Sequence, residues 1–192
     1  MADVLAFAEQ RGGQIGSAAR EAVSTAARLA GELGGSAHVV TLGGPGLSEA
    51  AGTLGAVGAA SVAVGEHEAL ADYNPEGYAR VLTHQIASGD FAAVILPATI
   101  LGKDLAPRVA AMLDVPLASD ATGVEVVDGA LSVIKPVYSG KAIAHLTIDA
   151  VPALITIRPN TFSVEEHAAQ GVVSNFAPDV DPSTWRVRVV ER

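Results

Sequence analysis

The residues of this chain best suited to chemistry lie in one short stretch, Thr99-Ile100-Leu101-Gly102-Lys103-Asp104. It follows the apolar run Phe91 to Leu96 and the pair Pro97-Ala98. A threonine hydroxyl, backbone N–H groups and a lysine ammonium can converge on an anion. The segment that follows, as far as Leu113, has helical spacing, so those N–H groups would open a helix at the carboxyl end of a strand. In open α/β sheets, ligands and partners bind at that edge. Thr99, Gly102, Lys103 and Asp104 are therefore the candidate anion edge. The same residues suit a plainer reading, in which Thr99 or Asp104 caps the helix and Lys103 is solvated. Residue type and spacing leave both readings open.

Other chemistry-bearing groups are weaker signals. Gly43-Gly44-Pro45-Gly46 lies between a strand and a helix, as a phosphate loop would. It lacks the G-x-G-x-x-G spacing and a Walker lysine, so a plain turn is the reading it supports. His38, His67, His84, His145 and His167 form no H-x-x-x-H or H-x-x-E-H pattern, and no metal site is expected. Glu165-Glu166-His167 reads as a solvated charged run. No serine stands in a G-x-S-x-G elbow. Asp114, Asp120 and Glu125 could meet near strand ends, but nothing fixes them as an acid/base pair. Tyr138-Ser139-Gly140-Lys141 is either an ordinary hairpin turn or a loop offering a phenol, a hydroxyl and a cation.

The elements that must hold these residues follow from patterning. Val4 to Ala8, Ala37 to Leu42, Ser61 to Val64 and Phe91 to Leu96 are short apolar runs without alternation, as suits strands buried on both faces. Helices are expected from Ser17, as a cap, to the Gly34-Gly35 stop, then from Ser48 to Leu54. Further helices are expected from Asn74 or Pro75 to Ala87, and after Thr99 until Asp114 and Pro116. The alternation predicts a mostly parallel sheet with helices on both faces, a three-layer α/β/α fold. After Asp120 the rhythm changes. Gly123 to Val127, Leu131 to Val137, Lys141 to Ile148 and Ala153 to Ile157 read as strands joined by short turns, with Asp128-Gly129 a hairpin signal. The C-terminal half should therefore add antiparallel strands. Residues 1–192 are expected to form one domain with a core at about 3–162. Residues 163–192 would be a polar arm, with Phe162 to Asp181 a loop and Trp185 to Val190 a charged edge strand.

Composition narrows the classes. The chain has 192 residues, 49% of them hydrophobic, which suits a folded domain and not a disordered one. The net charge of −9 argues against nucleic-acid binding. The absence of cysteine removes disulfides, thiolate catalysis and iron–sulfur ligation. No apolar run approaches the ~20 residues of a membrane helix. Asp3 precedes a very short apolar run, unlike a signal peptide. A soluble cytoplasmic protein without membrane insertion is the expectation.

Four ordered motifs carry a family resemblance. Pro97-Ala98-Thr99, Gly102-Lys103-Asp104, Pro107 to Ala111 and Ser119-Asp120 resemble the N-terminal domain of the electron transfer flavoprotein α subunit. Val4 to Glu9 is similar to its opening strand and following acid. Lys135 to Ala142 is similar to its R-P-x-Y-x-G-N-A stretch, and Ile155 to Arg158 with Phe162 to its T-V-R-x-x-x-F stretch. The resemblance spans about residues 3 to 162. Lys135 stands where Arg is usual, Lys141 where Asn is common, and Pro159-Asn160 where Gly-Thr or Gly-Ala is usual.

The resemblance implies an adenine-nucleotide-hydrolase-like sheet. It also implies membership of an αβ heterodimer carrying electrons from flavin dehydrogenases to a membrane quinone reductase or another acceptor. The family's FAD-binding second domain opens with V-S-G-G-R-G, and the sequence reaches Glu191-Arg192 without that motif. The expectation is thus a truncated or proteolytic piece with no enzyme activity and no FAD of its own, FAD belonging to the parent heterodimer. It would dock the β subunit through the antiparallel half, Val124 to Ile157, and form homo-oligomers at high concentration. A stand-alone adenine-nucleotide-binding module using the Thr99 to Asp104 edge is the alternative, and a small hydrolase of the same fold a second one.

Overall fold

The computed structural model of the chain describes residues 2–167 and 171–190. In chain order the elements are β1 (Asp3–Phe7), a small hairpin of β2 (Gln10–Arg11) and β3 (Gln14–Ile15), α1 (Ser17–Glu32), β4 (Ala37–Gly43) and α2 (Leu47–Ala51). A 3-10 segment, Gly52–Val57, continues α2. Then come β5 (Ser61–Glu66), α3 (Pro75–Ala87), β6 (Phe91–Pro97), α4 (Ile100–Leu113), β7 (Leu117–Ala121), β8 (Gly123–Val127), β9 (Ala130–Val137), β10 (Ala142–Ile148), β11 (Ala153–Ile157) and β12 (Val172–Phe176).

Seven strands form one parallel sheet in the order β12-β5-β4-β1-β6-β11-β7. Successive side chains point to opposite faces, and the central strands are mainly apolar on both sides because both faces are covered. On one face Val4, Ala6, Val39, Ala93 and Ile95 pack against α1 and α2. On the other, Leu5, Phe7, Val40, Val94 and Leu96 pack against α3 and α4. Ala19, Ala22, Ala26 and Ala30 line the buried side of α1, so that helix approaches the sheet closely. Asn74 caps α3, its Oδ1 accepting from Glu76 N and Gly77 N, both at 3.0 Å. Asp114 ends α4 in a left-handed conformation, φ 55°. The result is the three-layer α/β/α architecture.

The antiparallel addition is a separate sheet, β10-β9-β8. Val124, Leu131 and Val133 anchor it to the α1 side of the core, and Arg28 Nη2 donates to Val124 O at 2.6 Å. Strand β10 is its outer edge. Ile143 is 57% exposed and Leu146 39%.

Several expectations are corrected. The cap of α1 is Gly16, without a side-chain hydrogen bond, and Ser17 is the first helical residue. Leu117 to Ala121 is a strand, β7, because the free edge of β11 supplies a ladder that Ser119 and Asp120 do not advertise. Ala153–Ile157 does not extend the antiparallel set; it returns to the parallel sheet between β6 and β7. The polar stretch 162–181 contains β12, which pairs parallel to β5 and packs Val173 and Phe176 on the core, with Val172 left 70% exposed. Residues 168–170 of that stretch, and Glu191 and Arg192, lie outside the described residues. The expected edge strand Trp185 to Val190 does not form. Arg186 N and Val187 N donate to Glu76 Oε2, and Trp185 packs on Gly77, so the alternation records docking on α3 instead of a ladder. Among the described residues no helix is long and apolar enough to cross a membrane.

Candidate functional site

The winding of the sheet reverses at β1, which lies between β4 and β6. A crevice at the carboxyl ends of β1 and β6 is where this topology places ligands. Glu9 follows β1 and Thr99 follows β6. The Thr99 hydroxyl donates to a Glu9 carboxylate oxygen, so a side-chain hydrogen bond bridges that crevice. Burial pushes the Glu9 carboxyl above its ordinary value, against the opposing pull of this bond. Thr99 Oγ1 also accepts from Gly102 N at 3.0 Å and caps α4.

Gly102 is there for space. A Cβ would stand 1.8 Å from the Pro97 carbonyl oxygen, so only glycine lets the helix start this close to the strand end. Lys103 is exposed on the same turn, its N–H donating to Thr99 O at 2.9 Å. The structure thus gathers Thr99, Gly102 and Lys103 at one helix start. Asp104 turns to a different cluster. It accepts from Tyr73 OH at 2.6 Å and from Arg108 Nη2 at 3.0 Å, and these bonds, Arg108's first, hold its carboxyl below the ordinary range.

A second group converges on the ends of β7 and β11. Arg158 grips Asp120 bidentately, Nη2 to Oδ2 at 2.6 Å and Nε to Oδ1 at 3.2 Å, which depresses the Asp120 carboxyl. Asp120 N donates to Thr156 Oγ1 at 2.9 Å, and Lys135 Nζ to Ser119 Oγ at 3.1 Å. Beyond it, Tyr138, Ser139 and Gly140 have φ of 51°, 57° and 84°. A left-handed backbone costs about 1–2 kcal/mol per non-glycine residue, so this hairpin tip is held under strain. Tyr138 is 81% exposed at its apex.

The glycine turn after β4 is already filled. Glu66 Oε1 accepts from Ser48 N at 2.9 Å and Ser48 Oγ at 2.8 Å, and these bonds, with weaker ones from Gly46 and Leu47, lower its pKa. The sequence reading missed this carboxylate. Its signal is the parallel register, which sets Glu66 opposite Gly43. The contacts of Glu9 and Tyr73 were likewise invisible without the fold. Asp114 and Asp120 sit at opposite ends of β7, and Glu125 pairs with Ser132 on β8, so these carboxylates do not meet. His38 lies between Ser61 Oγ (2.7 Å) and Asp3 Oδ2 (3.3 Å), and His67 accepts from Ala69 N. Among the described residues no His/Asp/Glu group could hold a metal ion.

These turns do not fit a flavin dinucleotide. A pyrophosphate at the turn after β4 would displace Glu66, and at the turn after β6 it would meet the Glu9–Thr99 bridge.

A family model described as the electron transfer flavoprotein domain matches residues 4–181. The chain is 29% identical over 192 residues to the electron transfer flavoprotein subunit alpha of Thermoanaerobacterium thermosaccharolyticum, covering 98% of this chain and 58% of that one. It is 31% identical over 188 residues to the same-named subunit of Bacillus subtilis, covering 98% and 57%. To that of Syntrophomonas wolfei it is 35% identical over 173 residues, covering 90% and 53%. The chain spans about half the length of the curated relatives it matches.

Proposed function

The chain belongs to the electron transfer flavoprotein family, and from that premise we propose that it is the N-terminal scaffold domain of an α subunit, docking a β subunit in an electron carrier. On this reading it passes no electrons itself and catalyses no reaction. It holds the β subunit and supports a flavin-bearing region in a cytoplasmic heterodimer that links flavin dehydrogenases to an acceptor. The observation that carries the reading is the match to α subunits along nearly the whole chain, over only about half of each relative. The antiparallel sheet supports it further, since β10 offers an unpaired edge with Ile143 and Leu146 exposed. On the same reading, this edge would pair with a second copy of the chain when no β subunit covers it.

The FAD of the parent complex belongs, on this reading, to residues outside this domain. The alternative of an adenine-nucleotide-binding module is weakened by Glu66 and by the Glu9–Thr99 bridge, which occupy the two turns a phosphate would use. Light scattering of the chain with and without the cognate β subunit tests the proposal. A one-to-one complex at tens of micromolar is expected. No association there, together with saturable micromolar binding of AMP or ATP, would favour the nucleotide-binding alternative.

A further inference from the structure

All three lysines of this chain fall within residues 103–141, although its net charge is −9. The fold brings them to one side. Lys103 stands on the first turn of α4, above the carboxyl end of β6. Strand β8 leaves directly from the carboxyl end of β7, and β9 returns antiparallel with Ile134 opposite Gly123. Lys135 therefore lies beside β7, its Nζ donating to Ser119 Oγ at 3.1 Å, and the turn carrying Tyr138 and Lys141 begins three residues further on. Lys103 and Lys135 both act on Asp120, whose carboxylate is already held by Arg158. Among the described residues no carboxylate forms an ion pair with any of the three lysines.

We propose that this edge, from Lys103 to the Tyr138–Lys141 turn, is a docking surface for an acidic protein segment. The inference rests on the docking reading above and adds the surface, its chemistry and the sign of the partner's charge. A protein segment fits better than a compact phosphate for two reasons. The guanidinium of Arg158, the group suited to bidentate phosphate recognition, is engaged by Asp120. A dianion small enough to reach the ammonium groups would also sit beside the carboxyls of Asp120 and Glu9. An extended acidic segment can meet separate ammonium groups one at a time. Tyr138 supplies the anchor such an interface needs, an exposed aromatic ring on a backbone held in a strained turn. Charges of this kind chiefly set encounter rate and partner choice.

The test is calorimetric titration of the 192-residue chain with the cognate β subunit at 50 and 300 mM NaCl. Lys103→Glu/Lys141→Glu is compared with Arg80→Glu/Arg188→Glu, which makes the same charge change on the α3 side and tail. Tyr138→Ala is a third variant, and circular dichroism melts verify that each is folded. The expected result is at least tenfold weaker binding for the lysine pair and for Tyr138→Ala, less than threefold for the arginine pair, and a flattened salt dependence for the lysine pair. Unchanged affinity of the lysine pair, or an equal loss in both pairs, overturns this inference and leaves the docking reading standing. No binding of the unaltered chain overturns both. Saturable AMP binding that the lysine pair abolishes overturns the protein-segment assignment in favour of a phosphate site.

Discussion

At the scale of single residues, space and hydrogen bonding at strand ends decide what each side chain can do. Gly102→Ala drives a methyl into the Pro97 carbonyl and should destabilise the fold by about 2–3 kcal/mol or more. Gly31→Ala, within α1 and with nothing within 4 Å of the new carbon, should stabilise it by about 0.4–1 kcal/mol. Urea denaturation of the two variants reads both. Asp104 provides a pH test. Its folded pKa lies below its unfolded one, so its contribution is present above the ordinary carboxylate range and is lost as pH falls through the folded value. Asp104→Asn should therefore cost about 0.5–1 kcal/mol at pH 7, after allowance for solvent screening, and less at pH 3. Equal costs at both pH values would contradict this. The sequence makes Thr99 legible as a cap because Thr followed three residues on by a free N–H is a local pattern. It hides the fate of Asp104, because Tyr73 comes from a loop 31 residues earlier.

At the scale of elements, the parallel strands are readable because a strand buried on both faces must be apolar throughout, as Ala93 to Leu96 are. The edge strands are not. Ser119 and Asp120 in β7, and Ser174 and Asn175 in β12, look like loop residues, and only the open edges of β11 and β5 make strands of them. The opposite error occurs at Trp185 to Val190, where alternation looks like a strand and is a strap. Trp185 fills the space above Gly77, Arg186 Nε donates to Glu76 Oε1 at 2.9 Å, and Asn74 Nδ2 donates to Val187 O at 2.8 Å. A pocket of about 490 Å³ lies between this strap and the loop 68–74 that leads into α3. Trp185→Ala should release the strap. Trypsin would then cut at Arg186 and Arg188 several-fold faster while cleavage in the sheet stays unchanged. Unaltered cleavage at those two sites would show that the tryptophan does not hold the strap.

At the scale of the whole molecule, the parallel sheet is covered by helices on both faces, and the antiparallel sheet adds an outer strand with exposed apolar side chains, Ile143 and Leu146. Among the described residues its outer strand, β10, pairs on one side only, and its hairpin tip carries the exposed Tyr138. That asymmetry is the physical ground for the docking role proposed above. The most direct test is amide hydrogen exchange on the chain, alone and saturated with the cognate β subunit. On binding, β10, the Tyr138–Lys141 turn and the first turn of α4 around Lys103 should become protected, while α3 and the rest of α4 exchange as before. Protection confined to α3 and α4, with residues 138–148 unchanged, would contradict the proposed docking role.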